Sequence, residues 1–225
     1  LKISINHILT SLMVQLLFSF IRRVQRKLTT LFWIHLNRVH LKLVLENKLG
    51  KNARVCNHVY LNMHKKSQVS IGDNFSFNSG SNINPLCRNI KGSITAEREN
   101  TIICIGNNVG ISSSCIWAKE KIIIGNSVNI GGDCIIMDSD AHTLDWRVRD
   151  SGEFYSKKET LDTHLAKCSP IQIEDHVLIG TRCIILKGVT IGCHSIIAAG
   201  SVVTKDIPAN VIAGGNPCKI IREIK

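Results

Sequence analysis

An aliphatic side chain returns at every sixth position of residues 171–204: Ile173, Ile179, Ile185, Ile191, Ile197 and Val203. A second row, Ile171, Val177, Cys183, Val189, Ser195 and Ser201, runs two positions earlier and holds small or slim residues. A helix repeats about every 3.6 residues and a plain strand every two, so neither produces this count. Six is the period of a parallel β-helix that turns a corner after each hexapeptide, three hexapeptides closing one triangular coil. The first row fills the prism. Gly180 and Gly192 follow it where the backbone bends, and successive coils stack about 4.8 Å apart.

The same count places Ile71, Phe77 and Ile83 in one earlier set, Ile105, Ile111 and Trp117 in another, and Ile124, Ile130 and Ile136 in a third. The step from Trp117 to Ile124 is seven, which predicts a bulge or a longer corner. An all-β sandwich would show two-residue alternation with turn signals about every 8–12 residues, and this chain shows neither. Aromatic residues make up only 5% of the sequence, as a narrow prism filled with β-branched layers requires. The expected fold class is therefore mainly β, with three parts. Residues 1–50 form a basic amphipathic helical segment, residues 51–206 a β-helix with a protruding loop at about 137–170, and residues 207–225 a C-terminal extension. The count lapses at 81–97, where Asn84, Pro85 and Arg88 predict an irregular coil or loop.

The Ile-Gly-x-x-x-x pattern resembles the hexapeptide-repeat acyltransferases. That resemblance implies a left-handed coil, contrary to the usual right-handed crossover, and a trimer with sites in the clefts between subunits. From Ile136 onward the chain is similar to the galactoside and maltose O-acetyltransferase group and to O-acetyltransferases of bacterial surface polysaccharides.

In the protruding loop, His142 stands among Asp138, Asp140 and Asp145. Acyl transfer from a thioester to a hydroxyl needs a base that titrates near neutrality, which imidazole supplies. A carboxylate on the other ring nitrogen would fix the tautomer. The resemblance makes His142 the general base of direct transfer from acetyl-CoA. Through the run Gly152-Glu153-Phe154-Tyr155-Ser156 it makes Glu153 the first choice for the orienting acid, with Asp145 the second. It also places Ser113 at an acceptor-binding position, and Trp146 and Arg147 are candidates for gripping a sugar. A buried or interfacial Trp fits the sequence equally. The ending AAGSVVTKDIPANVIAGGNPCKIIREIK resembles the group's coenzyme-binding tail. It implies Ala199, Thr204 and Lys205 along the pantetheine and diphosphate, and Lys219 and Arg222 at the 3′-phosphate, where cations suit the charge. The bland alternative is a solvated basic tail. Leu178 stands where the galactoside enzymes carry Trp, so any ring contact there is missing.

The charge is partitioned sharply. Residues 1–68 hold twelve Lys and Arg against Glu46 alone, and the remainder holds sixteen of each sign. Within that stretch Ile5, Ile8, Leu9, Leu12, Met13, Leu16, Leu17, Phe20, Ile21, Val24 and Leu28 recur at helical spacing. The segment from Ile8 to Ile21 is too short to span a bilayer, and no small-residue cleavage site follows. An apolar helix beside a basic cluster fits peripheral contact with the cytoplasmic face of an anionic membrane; packing on the prism or on a neighbouring subunit fits as well. Nucleic acid is disfavoured, since no binding motif accompanies the charge.

Nine cysteines without a CxxC pair point to a reducing cytoplasm, with neither disulfide framework nor zinc site. His176 and His194, eighteen residues apart, should stack at one corner. The hexapeptide-fold carbonic anhydrases use an H-x4-H pair that is absent here, so no metal is expected. The function these features imply is acetyl-CoA-dependent O-acetylation of a sugar hydroxyl in a polysaccharide or glycan precursor. The alternatives are acetylation of an aminosugar, serine or antibiotic hydroxyl on the same fold, or a β-helix that serves assembly alone.

Overall fold

The computed structural model describes residues 5–80, 83–87, 90–157 and 159–224, with side chains from residue 11 onward. Lys2, Arg88 and the side chains of Ile5, Ile8 and Leu9 lie outside the described residues.

Three parallel sheets form the walls of a prism. On the first face the stacked inward row is Val55, Phe77, Ile111, Ile130, Ile179, Ile197 and Ala213. On the second it is Leu61, Ile94, Ile116, Ile136, Ile185 and Val203. On the third it is Ile71, Ile105, Ile124, Ile173 and Ile191. The six-residue rhythm from Ile173 to Val203 is thus a walk around the faces, and both predicted rows are buried. Each enclosed Ile contributes roughly 1.5–3 kcal/mol. Gly180 is held to glycine by its neighbour, because a Cβ there would lie 2.5 Å from the Ala199 nitrogen of the next coil.

Two residues of the expected row lie elsewhere. Ile83 is half-buried in the irregular passage after Phe77, and Ile94 takes the second-face position of that coil. Trp117 points outward. Its neighbour Ile116 enters the core, because the corner at Ser113 and Ser114 is one residue short. The Trp117 indole N–H donates to Glu97, and the Lys119 ammonium lies 5.6 Å from the ring centroid.

The two ends of the prism are finished differently. The strand Lys219–Glu223 runs antiparallel to Val211–Gly214 on the first face. At the other end the helix α1 (Ile5–Leu45) buries Leu41 and Leu45 in the core. Asn37 Nδ2 donates to the carbonyls of Val55 and Asn57 at 3.1 and 2.7 Å, tying α1 to the first coil.

Candidate active site

The arm at 137–170 leaves the prism between the second and third faces, and its neck is rigid. The buried Asp138 carboxylate accepts the backbone N–H groups of Lys119, Glu120 and Lys121 at 2.7–2.8 Å. Asp138 therefore works as a splice between coils. Ser139 and Cys168 bridge across the neck, and the Lys187 ammonium pairs with Asp140 at 2.7 Å. Between these anchors Ala141 adopts φ 61°, a left-handed conformation costing an L-residue about 1–2 kcal/mol. The His142 N–H donates to the Asp140 carbonyl at 2.7 Å, so the tight turn aims the imidazole away from the coil.

Beyond the turn come α2 (Trp146–Ser151), a short antiparallel hairpin and α3 (Leu161–Leu165). Thr160 caps α3, its hydroxyl accepting the Thr163 N–H at 3.3 Å. Asp162, in the first turn, places Oδ2 2.5 Å from His142 Nδ1, and its Oδ1 accepts the Thr143 N–H at 2.8 Å. The ring is exposed, with 62% of its side-chain surface accessible, while the carboxylate beneath it retains only 13%. The hydrogen bond from His142, aided by the Thr143 N–H and Arg149, holds the Asp162 carboxyl below the usual carboxylate range. The tautomer that donates from Nδ1 leaves the Nε2 lone pair for a substrate proton.

Two cations from the prism fix α3 in turn. Arg98 donates to the Thr163 carbonyl and to Glu159, both at 2.6 Å. The Lys119 ammonium reaches the same carbonyl at 3.2 Å. Asp162 is adjacent in sequence to that doubly held carbonyl, so the chain of support runs from the prism to His142.

The carboxylate on the ring is thus neither of the expected acids. Glu153 is exposed on the hairpin, where its backbone carbonyl accepts the Leu161 N–H at 2.9 Å. Asp145 caps α2, accepting the Arg147 N–H at 3.0 Å, and its two oxygens take the Arg147 guanidinium at 2.9 and 3.0 Å. Arg147 is thereby committed to Asp145, and Trp146 is exposed beside it. Ser113 departs furthest from expectation. It is fully buried, and its hydroxyl accepts the Gly80 N–H at 2.7 Å, so no sugar can reach it in this chain.

The predicted coenzyme residues are spread around the prism. Thr204 and Lys205 lie on the same edge as the arm, one coil beyond Lys187, between Val203 of the second face and Ile207, which bridges to the third. Ala199 and Gly200 lie on another edge, at the end of a groove that runs along the first face under Asn84 and Leu86. Lys219 and Arg222 are exposed on the terminal strand of that face. One chain therefore brings His142 and Asp162 together but does not gather the coenzyme residues around them.

The predicted corner stack is present: the His176 and His194 rings lie parallel, 5.1 Å apart between centroids. Among the described residues no three His, Cys, Asp or Glu side chains converge to hold a metal ion.

Residues 170–205 match the hexapeptide repeat of succinyl-transferase. That stretch of the chain carries the hexapeptide repeat. The chain folds as a left-handed parallel β-helix, with a helix at its N-terminus. The repeat protein is 42% identical over 125 residues to the galactoside O-acetyltransferase of Escherichia coli K12, covering 53% of this chain and 56% of that one. It is 40% identical over 93 residues to the galactoside O-acetyltransferase of Lactococcus lactis, covering 41% of this chain and 39% of that one. It spans about half the length, or less, of these relatives. A solved structure of a Bacillus cereus N-acyltransferase, in complex with dTDP and 3-hydroxybutyryl-CoA, superposes with a TM-score of 0.57 at 19% identity, over 84% of this chain and 88% of that one. That likeness supports the fold of this repeat protein.

Proposed function

We propose that this chain transfers an acetyl group from acetyl-CoA to a hydroxyl of a sugar, in a polysaccharide or glycan precursor. The observation that carries the reading is the His142–Asp162 pair. An imidazole held at Nδ1 by a largely sheltered carboxylate, with its ring exposed to solvent, is equipped to take a proton from an attacking hydroxyl. Asp162 keeps the required tautomer and stabilises the imidazolium as the alkoxide attacks the thioester carbonyl; the coenzyme thiol then leaves and the proton returns to it. Relatives that are galactoside O-acetyltransferases support the choice of acyl group and acceptor. Exposed Leu144, Trp146, Phe154 and Tyr155 on the arm offer apolar faces for a sugar ring or an adjoining subunit.

The scatter of Ala199, Thr204, Lys205, Lys219 and Arg222 around one prism favours a homotrimer whose clefts join the arm of one copy to the coenzyme groups of the next. The test is release of free coenzyme A from acetyl-CoA across a panel of glycosides and oligosaccharides. Acceptor-dependent release that collapses in His142→Ala is expected. Mixing His142→Ala with Lys219→Glu/Arg222→Glu should restore part of the rate if the site is shared between copies. Absence of acceptor-dependent release, or an unchanged rate in His142→Ala, rejects the reading.

A further inference from the structure

The end of α1 remote from the prism carries a broad apolar face. Among the described side chains of this helix, full burial is confined to Asn37, Leu41 and Leu45 near its C-terminal end. Further out, Leu12, Met13, Val14, Leu16, Leu17, Phe18, Phe20 and Ile21 are each between 45% and 70% exposed. Successive helical residues are about 100° apart, so these positions cover about two-thirds of the circumference, and Ser11, Gln15 and Ser19 line a stripe that continues into Arg22 and Arg26. A helix with a wide apolar face and a basic polar face suits the boundary between acyl chains and headgroups. The apolar stretch ends abruptly at Arg22, Arg23, Arg26 and Lys27, and no acidic residue appears before Glu46. Arg22, Arg23 and Arg26 line a cleft with Thr29, Thr30 and Asn57, which places cations and hydrogen-bond donors where the helix meets the prism.

We propose that this end of α1 docks on an anionic lipid bilayer, its apolar face against the acyl chains and Arg22, Arg23, Arg26 and Lys27 against the phosphate headgroups. The basic cluster finds its complementary charge in anionic lipid, whereas a second copy of the helix offers no acidic residue before Glu46 to meet it. Among the described residues no helix is long and apolar enough to cross a membrane. Long Arg and Lys side chains reach the headgroup layer while their stems stay beside lipid. None of the groups in the arm takes part, so this inference stands or falls apart from the transfer reading.

The experiment is flotation of the full chain with vesicles of neutral phosphatidylcholine, and with the same lipid mixed with phosphatidylglycerol. Binding to the anionic vesicles should be at least about tenfold tighter than to the neutral ones and should weaken with added salt. The combined change Arg22→Glu/Arg23→Glu/Arg26→Glu/Lys27→Glu should abolish it without altering the circular dichroism of the prism. A Phe18→Trp variant should shift its emission to the blue on anionic vesicles and be quenched by brominated acyl chains. Absence of flotation, undiminished binding by the charge-reversed chain, or an unquenched indole would overturn the proposal. Protection of residues 12–21 from hydrogen exchange without vesicles would also overturn it, by assigning the helix to a second copy of itself.

Discussion

Two edges of the same prism obey different rules. From the third face to the first, the chain always takes six residues, as in Ile71 to Phe77 or Ile191 to Ile197. Each of these corners carries a left-handed residue: Asn52, Asn74, Asn108, Ser127, His176, His194 or Asn210. The corner residues interlock, Asn52 donating to Asn74 at 3.1 Å and Asn74 to Asn108 at 2.9 Å. From the second face to the third the length varies. The passages run from Leu61 to Ile71, Ile94 to Ile105, Ile116 to Ile124 and, with the arm, Ile136 to Ile173. A corner locked by left-handed side chains and their hydrogen bonds fixes its own length. An edge without that ladder tolerates insertion, and there the chain can carry chemistry on a rigid support.

The sharpest way to break this contrast is a pair of truncations, one on each side of it. His142→Ala should lower kcat by about 10²–10⁴-fold, or about 3–5 kcal/mol of transition-state stabilisation, with stability changed by less than about 0.5 kcal/mol. Ile185→Ala, inside the second face, should cost about 2–5 kcal/mol of stability. Its kcat per folded molecule should stay near that of the parent. Steady-state kinetics and urea titration on both proteins decide it. If Ile185→Ala lost activity in the folded state as His142→Ala does, coil and arm would not be separable.

Asp162→Asn comes next in size. The amide retains the shape but holds the imidazole in the wrong tautomer or not at all, so kcat should fall by tens to hundreds, less than in His142→Ala. Glu153→Gln should leave kcat within about twofold, because that carboxylate is not the one on the ring. Acid stability tests the same pair. A carboxyl whose folded value is depressed contributes stability that is complete above its unfolded value, near pH 4, and is lost as pH falls through the folded value. The stability difference between the parent and Asp162→Asn should therefore shrink as pH drops below about 4. A difference that widened there would contradict the lowered Asp162 value.

Arg98→Met probes the support beneath the pair. The thioether keeps the apolar stem but surrenders the bonds to Glu159 and the Thr163 carbonyl. Arg98 is partly exposed, so the stability change should be about 1 kcal/mol or less. The informative readout is kcat, which should fall severalfold with KM for acetyl-CoA little changed, because α3 carries Asp162. Restoration toward the parent in Arg98→Lys would mark a positioning role, since the ammonium can still reach the carbonyl.

What was legible in the sequence follows the same division. Between Ile171 and Val203 each side chain's place is set by a local count, and the count found both rows. It failed at Ile83 and Trp117, where the corner between the first and second faces lengthens or shortens and a one-residue slip turns the adjacent side chain inward. In the arm, His142 was legible because of what it is, an imidazole in a polar excursion. Its acid was not. Asp162 lies twenty residues along the chain, and the nearer Asp145 is consumed by Arg147 and the start of α2. The one local signal was Thr160 followed by Leu-Asp-Thr-His, a helix start with an acid in its first turn. That pattern announces α3, but only Arg98 and Lys119, brought from two other coils, put α3 beneath the ring. Ser113 failed for the opposite reason: a hydroxyl at a tight corner was needed by the backbone.

The smallest effect belongs to the locked edge. Asn108 adopts φ 57°, accepts from Asn74, and donates its N–H to the Asp73 carbonyl at 2.7 Å. Asn108→Ala removes the side-chain acceptor and leaves a residue less tolerant of the left-handed region, so a loss of about 1 kcal/mol is expected in urea titration. Asn108→Gly relieves the dihedral strain while still losing the hydrogen bond, and it should recover part of that loss despite the added freedom of the unfolded chain. Kinetics of both variants should match the parent, because the corner lies on the edge that carries no arm. If Asn108→Gly proved less stable than Asn108→Ala, the left-handed dihedral would store less strain than the freedom glycine adds to the unfolded chain. The fixed six-residue length would then follow from stacking between coils, with the left-handed turn as its consequence.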